Sequence, residues 1–375
     1  MIILNINSYY YSSTVHRELH HELNNQKLNS ITYVPLAKGY IPREECQYGN
    51  EKNVRISECY NKNDRYFFYI KHKKILSDIE KNFKIENFDV MHAHSLFSNG
   101  YIAMKLKEKY NIPYIVAVRD TDLNLFFKHL KHLRKLGLKI LKEAEKIIFL
   151  SEPYRDYLID SYIPEDLRDM ISIKSIVIPN GINKFWHKNV GINKHINKKQ
   201  KLKLLYVGAI SKRKNISSTI KAIQVLRDKG YEIEYTVVGK IVDKHLFDSF
   251  KDLEFIKYVE PVSKEKLIEI YRDNDIFVMP SLTETFGLVY AEAVSQGLPV
   301  IYSKGQGFDG HFEEGAVGYS VSCFDYKDIA DNIIRIVNNY EEISNNCINL
   351  FEKFNWDRIA LEYTELYLGL IKPLN

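Results

Sequence analysis

Val278-Met279-Pro280-Ser281-Leu282-Thr283-Glu284-Thr285-Phe286-Gly287-Leu288-Val289-Tyr290-Ala291-Glu292-Ala293 is the stretch on which the fold turns. A short apolar run ending at Met279 stops at Pro280 and gives way to a polar turn. Gly287 then opens a segment of helical periodicity that closes at Gly297-Leu298-Pro299. Strand, loop and helix start in that order make an anion site. The first helical turn leaves its N–H groups unbonded, and the helix dipole is positive there. Glu284 and Glu292 flank the site with seven residues between them. Carboxylates on both sides of a phosphate-sized nest suit a ligand with hydroxyls on both sides of its phosphates, the form of a nucleotide sugar.

Outward from this stretch the chain alternates apolar strands with helical patterns, which predicts an α/β fold of parallel sheets wound with helices. At 375 residues it is too long for one ordinary core. The alternation runs from Ile2 to Ile178, pauses, and restarts at Leu204. The pause holds the turn cluster Pro179-Asn180-Gly181-Ile182-Asn183 and a lysine-rich polar stretch. The expected organisation is therefore residues 1–183 as a first Rossmann-like domain, 184–203 as a linker and 204–355 as a second such domain. A final helix, 356–375, exceeds what the second domain needs. Two doubly wound halves place a cleft between the carboxyl ends of their sheets. Residues 40–68, rich in Tyr, Asn and charge, read as an irregular excursion.

Hydrophobic content of 45% and charged content of 27% are those of a soluble globular protein. The amino-terminal run Met1–Asn7 is too short for a secretory signal core and reads as a first strand. Cys46, Cys59, Cys323 and Cys347 are scattered without Cys-x-x-Cys spacing, which argues against a zinc site or disulfide framework and fits a reducing cytoplasm.

Pro280 to Ala293 with Gly297-Leu-Pro299-Val-Ile301 resembles the donor-binding signature of glycosyltransferase family four, retaining nucleotide-sugar enzymes of the two-Rossmann-domain GT-B fold. The resemblance extends in order through Asp89-Val-Met-His-Ala-His94, Ile112-Pro-Tyr, Ile178-Pro-Asn-Gly-Ile-Asn183, Leu205-Tyr-Val-Gly208 and Phe354-Asn-Trp356. It implies transfer of a hexose from a UDP- or GDP-linked donor to a glycan, with a lipid-linked surface polysaccharide as the expected acceptor. The final helix is expected to cross back to the first domain. It further implies that Glu292 accepts from the ribose hydroxyls and Glu284 from hydroxyls of the transferred sugar. Gly208, Thr285, Phe286, Gly287, Leu288 and Val289 would form the donor cradle. Gly287 is expected because a side chain would occupy the phosphate's space.

The family's basic pair on the diphosphate is an Arg directly after the strand-end glycine and a Lys several residues later. Lys214 matches the second; Ala209 stands at the first, with Arg213 as the candidate substitute or simply part of a solvated turn. On the acceptor side, a histidine often found after the strand Tyr114–Val118 is replaced by Arg119. Asp120 then becomes the candidate to orient or deprotonate the acceptor, or else a helix cap. His94 reads equally as packing or as an acceptor contact. Arg119-Asp-Thr-Asp122 lacks the context of a metal–diphosphate motif, and His92-x-His94 lacks further ligands, so no metal is expected.

The segment from Leu123 to Lys142 carries basic residues and no acidic one, with Phe126, Leu130, Leu133, Ile140 and Leu141 near one face. A helix across Leu125–Glu145 would either pack in the core with a solvated basic face or touch an anionic membrane, the inner face of the plasma membrane by resemblance. No nucleic-acid module is present in the pattern. Same-fold epimerases or phosphorylases and a non-catalytic sugar-binding protein are the alternatives. A nicotinamide enzyme is disfavoured because the turn after the first strand of neither half offers Gly-x-Gly-x-x-Gly.

Overall fold

A computed structural model describes residues 1–41, 53–197 and 200–371. It divides into two compact units. The first comprises Met1–Leu150, Tyr154–Gly181 and the segment that begins at Trp356; the second comprises Ser151–Pro153 and Ile182–Asn355.

Among the described residues the first unit holds β1 (Ile2–Ile6), β2 (Asn29–Ala37), β3 (Val54–Tyr60), β4 (Val90–Ala93), β5 (Tyr114–Ala117), β6 (Lys146–Phe149) and β7 (Ser175–Val177). They form one parallel sheet in the order β3-β2-β1-β4-β5-β6-β7. The second unit holds β8 (Leu202–Val207), β9 (Ile233–Val238), β10 (Ile256–Val259), β11 (Ile276–Val278), β12 (Val300–Ser303) and β13 (Gly318–Val321). These are parallel in the order β10-β9-β8-β11-β12-β13. β4, β5, β11 and β12 are buried along their whole length, the condition of a strand covered by helices on both faces. In each sheet the winding direction reverses between the first strand and the fourth of that unit, β1/β4 and β8/β11. Ligands of open α/β sheets bind at such reversals, beyond the carboxyl ends of the strands.

The helix Trp356–Ile371 belongs to the first unit. Trp356, Ile359, Tyr363 and Tyr367 join Ile3, Val90, Ile115 and Ile148 in one apolar cluster. Trp356 Nε1 donates to Glu18 Oε2 at 2.9 Å. A Cβ at Gly181 would stand 2.4 Å from the Trp356 ring, so that glycine is required for the helix to seat.

The structure differs from the sequence expectation in three places. The excursion at 40–68 contains β3 and the start of the helix Phe68–Asn82; residues 42–52, with Cys46, lie outside the described residues. β3 is an edge strand of mixed polarity, so it lacks the apolar pattern that marks the central strands. The single helix expected over 125–145 is instead a π-helical turn (Asp122–Phe127), a 3-10 turn (Lys131–Leu133) and the helix Arg134–Glu143. A run of cations without carboxylates has no i,i+4 pairs to support a continuous helix, and Arg134 Nε takes the Phe127 carbonyl at 2.6 Å. The stretch expected as a linker packs within the second unit over 184–197. Asn183 caps the helix Lys184–Lys188, Trp186 is buried, and Gly191 N donates to Ser295 O at 2.9 Å.

Candidate functional site

The second unit's site is built from the loops that follow β8 and β11, neighbours in the sheet. After β8 the chain passes Gly208 and makes a tight 3-10 turn at Lys212–Lys214. Asn215 closes it in the left-handed conformation (φ 57°), which Asn tolerates better than most residues. Its Nδ2 donates to Pro280 O at 2.9 Å and to Cys323 O at 2.6 Å. Leu282 N donates to Arg213 O at 2.8 Å, so the two loops are laced together. This lacing delivers Lys214 Nζ to Glu284 Oε2 at 2.5 Å, both residues buried. Arg213 is half exposed; its Nη1 donates to Thr283 O at 2.6 Å and stands 4.0 Å from Glu284 Oε1. Ala209 is exposed, and its carbonyl accepts from Tyr206 Oη at 2.8 Å.

Glu284 is held at its backbone as well. Its N–H donates to Gln306 Oε1 at 2.9 Å, and its carbonyl accepts from Gly307 N at 2.8 Å. A Cβ at Gly307 would lie 1.9 Å from Thr285 O, so only glycine allows that approach. The glycine-dense loop 304–310 is therefore a clamp on the Glu284 turn. Nothing in the sequence pattern connects Gln306 or Asn215 to Glu284; the glycines beside Gln306 were the only signal.

Gly287 caps the helix Leu288–Ser295 at φ 76°, and a Cβ there would meet the Tyr290 ring at 2.4 Å. Internal packing and the left-handed backbone thus require glycine here, a constraint separate from the ligand space expected from sequence. Tyr290 is buried and donates to Met279 O, locking the loop to the helix; burial first, then the Glu284 charge, pushes its hydroxyl well above the usual tyrosine range. Thr285, Gly287, Leu288 and Val289 are partly exposed, so the N–H groups of the first turn are presented beside the Lys214–Glu284 pair. Phe286 is buried against His311 and Phe354, leaving only its backbone to offer a ligand. Glu292, one turn further along, accepts from Tyr271 Oη at 3.3 Å. An anion at the helix start would thus meet a cation on one side and carboxylates to either end.

The acceptor-side candidates lie in the first unit, at the β1/β4 reversal. His94 is buried, stacks on His92 at 3.9 Å and has Nε2 3.2 Å from Asn5 Oδ1. Burial, then the neighbouring histidines and Arg119, holds its pKa well below the usual histidine range, so the ring is neutral. Arg119 Nε donates to His94 O at 3.1 Å. Asp122 is buried and accepts from the N–H groups of Leu96, Phe97 and Arg119 at 2.8–3.0 Å, which occupies it as a backbone anchor. Burial still outweighs those bonds and raises its carboxyl to about 6. Asp120 accepts from Asn124 Nδ2 at 2.7 Å and Tyr154 Oη at 3.3 Å. Asp120 is the more accessible of the two aspartates. Among the described residues no group of His, Cys, Asp and Glu side chains is placed to hold a metal ion.

Two family models divide the chain between them: Glycosyltransferase Family 4 matches residues 12–184, and Glycosyl transferases group 1 matches residues 189–353. The chain belongs to glycosyltransferase family four. An alpha-monoglucosyldiacylglycerol synthase of Acholeplasma laidlawii is 25% identical to this glycosyltransferase, over 76% of this chain and 77% of the relative. Among solved structures, sucrose-phosphate synthase from Thermosynechococcus elongatus superposes with a TM-score of 0.74 at 18% identity, covering 99% of each chain. Anabaena HepE in complex with UDP-glucose superposes at 0.68 and 13% identity, covering 98% of this chain and all of that one. These structures establish the GT-B fold, two Rossmann-like units, for this glycosyltransferase.

Proposed function

We propose that the protein is a retaining hexosyltransferase that uses a nucleoside diphosphate sugar and a glycan acceptor. The observation that carries the reading is the Lys214–Glu284 contact at 2.5 Å, set beside the first turn of the helix after Gly287. In this reading Lys214, Arg213 and the N–H groups of Gly287, Leu288 and Val289 hold the diphosphate as charge builds on it in the transition state. Glu292 binds the ribose, and Glu284 the hydroxyls of the sugar being transferred. The first unit supplies Asp120, Arg119 and His94 toward the acceptor. The neutral, buried His94 ring can position but not carry charge. No protein nucleophile and no metal enters this scheme; the acceptor attacks on the face from which the diphosphate departs.

UDP is the favoured nucleotide of the two considered, on the precedent of UDP-glucose on HepE. A lipid-linked acceptor is supported by the relative named for alpha-monoglucosyldiacylglycerol, and a cytoplasmic reaction by Cys59, Cys323 and Cys347, which form no disulfide among the described residues. The exposed Ala209, where the family's arginine is expected, favours a second reading, a protein that binds the donor without transferring it.

Incubation with UDP-glucose, UDP-galactose and GDP-mannose over a set of glycan and glycolipid acceptors separates these readings. Transfer with the donor's anomeric configuration kept in the product is expected. Inverted product refutes the retaining mechanism, and donor binding without transfer or hydrolysis supports the second reading.

A further inference from the structure

Glu292 stands on the helix Leu288–Ser295 and is only partly buried. A long, flexible side chain in that setting has to be ordered each time a ligand binds. That ordering weakens binding about two- to tenfold for each such side chain. The second unit holds a residue set to do it in advance.

Tyr271, on the helix Lys264–Asp273, is buried, and its Oη donates at 3.3 Å to Glu292 Oε2 and at 3.3 Å to the Val289 carbonyl. Val289 and Glu292 are three apart on one helix and so share a face. One hydroxyl thus reaches the carboxylate and the first helical turn together, in a three-centre bond. Burial first, then the Glu292 charge, pushes that hydroxyl well above the usual tyrosine range, so it stays protonated and donates. The ring is walled in. Trp186 meets it edge-on at 5.6 Å, and Phe277 lies at 6.2 Å. Trp186 is itself buried, and the segment behind it is tied down at Asn189, whose carbonyl accepts from Arg272 Nη2 and Gln296 Nε2, each at 2.9 Å. The Val289 carbonyl alone would satisfy a buried hydroxyl; contact with the carboxylate as well gives it a second task.

We propose that Tyr271 positions Glu292 for the ribose hydroxyls of the donor, a role that rests on the reading of Glu292 as the ribose carboxylate. Tyr271 touches no ligand in this role. Its hydroxyl holds the carboxylate in one orientation, and the Trp186 ring holds Tyr271 in place. The cost of ordering Glu292 is then met on folding rather than on binding.

The test is calorimetric titration of UDP, and of 2′,3′-dideoxy-UDP, which lacks both ribose hydroxyls, into the full chain and its Tyr271→Phe variant. The wild type is expected to bind UDP at least about tenfold more tightly than the dideoxy nucleotide, the worth of a hydrogen bond to a charged group. Tyr271→Phe keeps the ring beside Trp186 and Phe277, so the fold is retained. It is expected to lower that ratio about two- to tenfold, by weakening UDP while the dideoxy nucleotide binds as before. A merely structural tyrosine would weaken both nucleotides alike and leave the ratio where it was. An unchanged ratio in Tyr271→Phe therefore overturns the positioning role alone. A wild type that binds both nucleotides equally, or neither, overturns the ribose reading of Glu292 and the role of Tyr271 with it.

Discussion

Replacing Lys214 by methionine perturbs two things that a second substitution can pull apart. In the free protein Lys214 neutralises a carboxylate whose side chain is 9% exposed. Removing one partner of a buried pair costs about 3–5 kcal/mol, chiefly because the other charge is left unpaired. Arg213 Nη1, 4.0 Å from the second Glu284 oxygen, offsets part of that. The expected loss in Lys214→Met is therefore ~2–3 kcal/mol, a fall of roughly 5–10 °C in melting temperature for a unit of this size. In the bound state the same lysine donates to the diphosphate, a charge-assisted bond of about 1.5–3 kcal/mol. Its loss should weaken UDP binding about ten- to a hundredfold. Adding Glu284→Gln removes the orphaned charge, so Lys214→Met with Glu284→Gln should regain most of the stability. It should not regain UDP affinity, because no cation has returned. Urea unfolding and titration calorimetry on the single and double variants read the two effects separately. A double variant no more stable than Lys214→Met would refute the buried ion pair. Unweakened UDP binding in either variant would refute the phosphate role.

Other consequences are as direct. His92, buried with its Nδ1 2.7 Å from Tyr367 Oη, is held down to about 3 by burial and then by Arg119, with His94 and Tyr363 stacked on its faces. A base depressed in the folded state stabilises fully above its unfolded pKa and loses that stability as pH falls toward the folded value. Unfolding free energy should therefore decline below pH ~6.5, with a slope about 1.4 kcal/mol per pH unit shallower in His92→Asn; an unchanged slope in chemical denaturation contradicts this. Gly287→Ala should cost about 1–3 kcal/mol in urea unfolding, since it combines a left-handed backbone with a 2.4 Å approach to Tyr290. Gln306→Ala should raise KM for the donor severalfold with a smaller change in the melt, because it frees the Glu284 turn while Gly307 still holds it. A melt that falls while KM stays constant would assign Gln306 to stability alone.

Much of this architecture is legible in the chain because its central strands are apolar on both faces and the helices Ile216–Asp228 and Leu288–Ser295 stop just before Gly230 and Gly297. β3 and β13 escape that reading for physical reasons. β3 is a half-exposed edge, and β13 begins with Gly318, where a Cβ would lie 1.8 Å from Val300 O. Glu284, Gly287 and Glu292 could be found because they belong to one contiguous strand–loop–helix. Gln306 and Asn215 could not, because what they hold lies 22 and 65 residues away and only the folded loops bring them there. Gly287 is legible as a residue, but its approach to Tyr290 is not, since only the folded helix turns that ring back onto it.

Thermal shift with UDP reads most directly whether the second unit binds a nucleoside diphosphate. A ligand that binds only the native state at a hundred times its Kd stabilises by about 2.7 kcal/mol. UDP should raise the melting temperature of the wild-type protein by several degrees and leave Glu292→Ala unmoved. A wild type that neither UDP nor GDP shifts, or a Glu292→Ala variant that shifts as far as the wild type does, contradicts donor binding at this site.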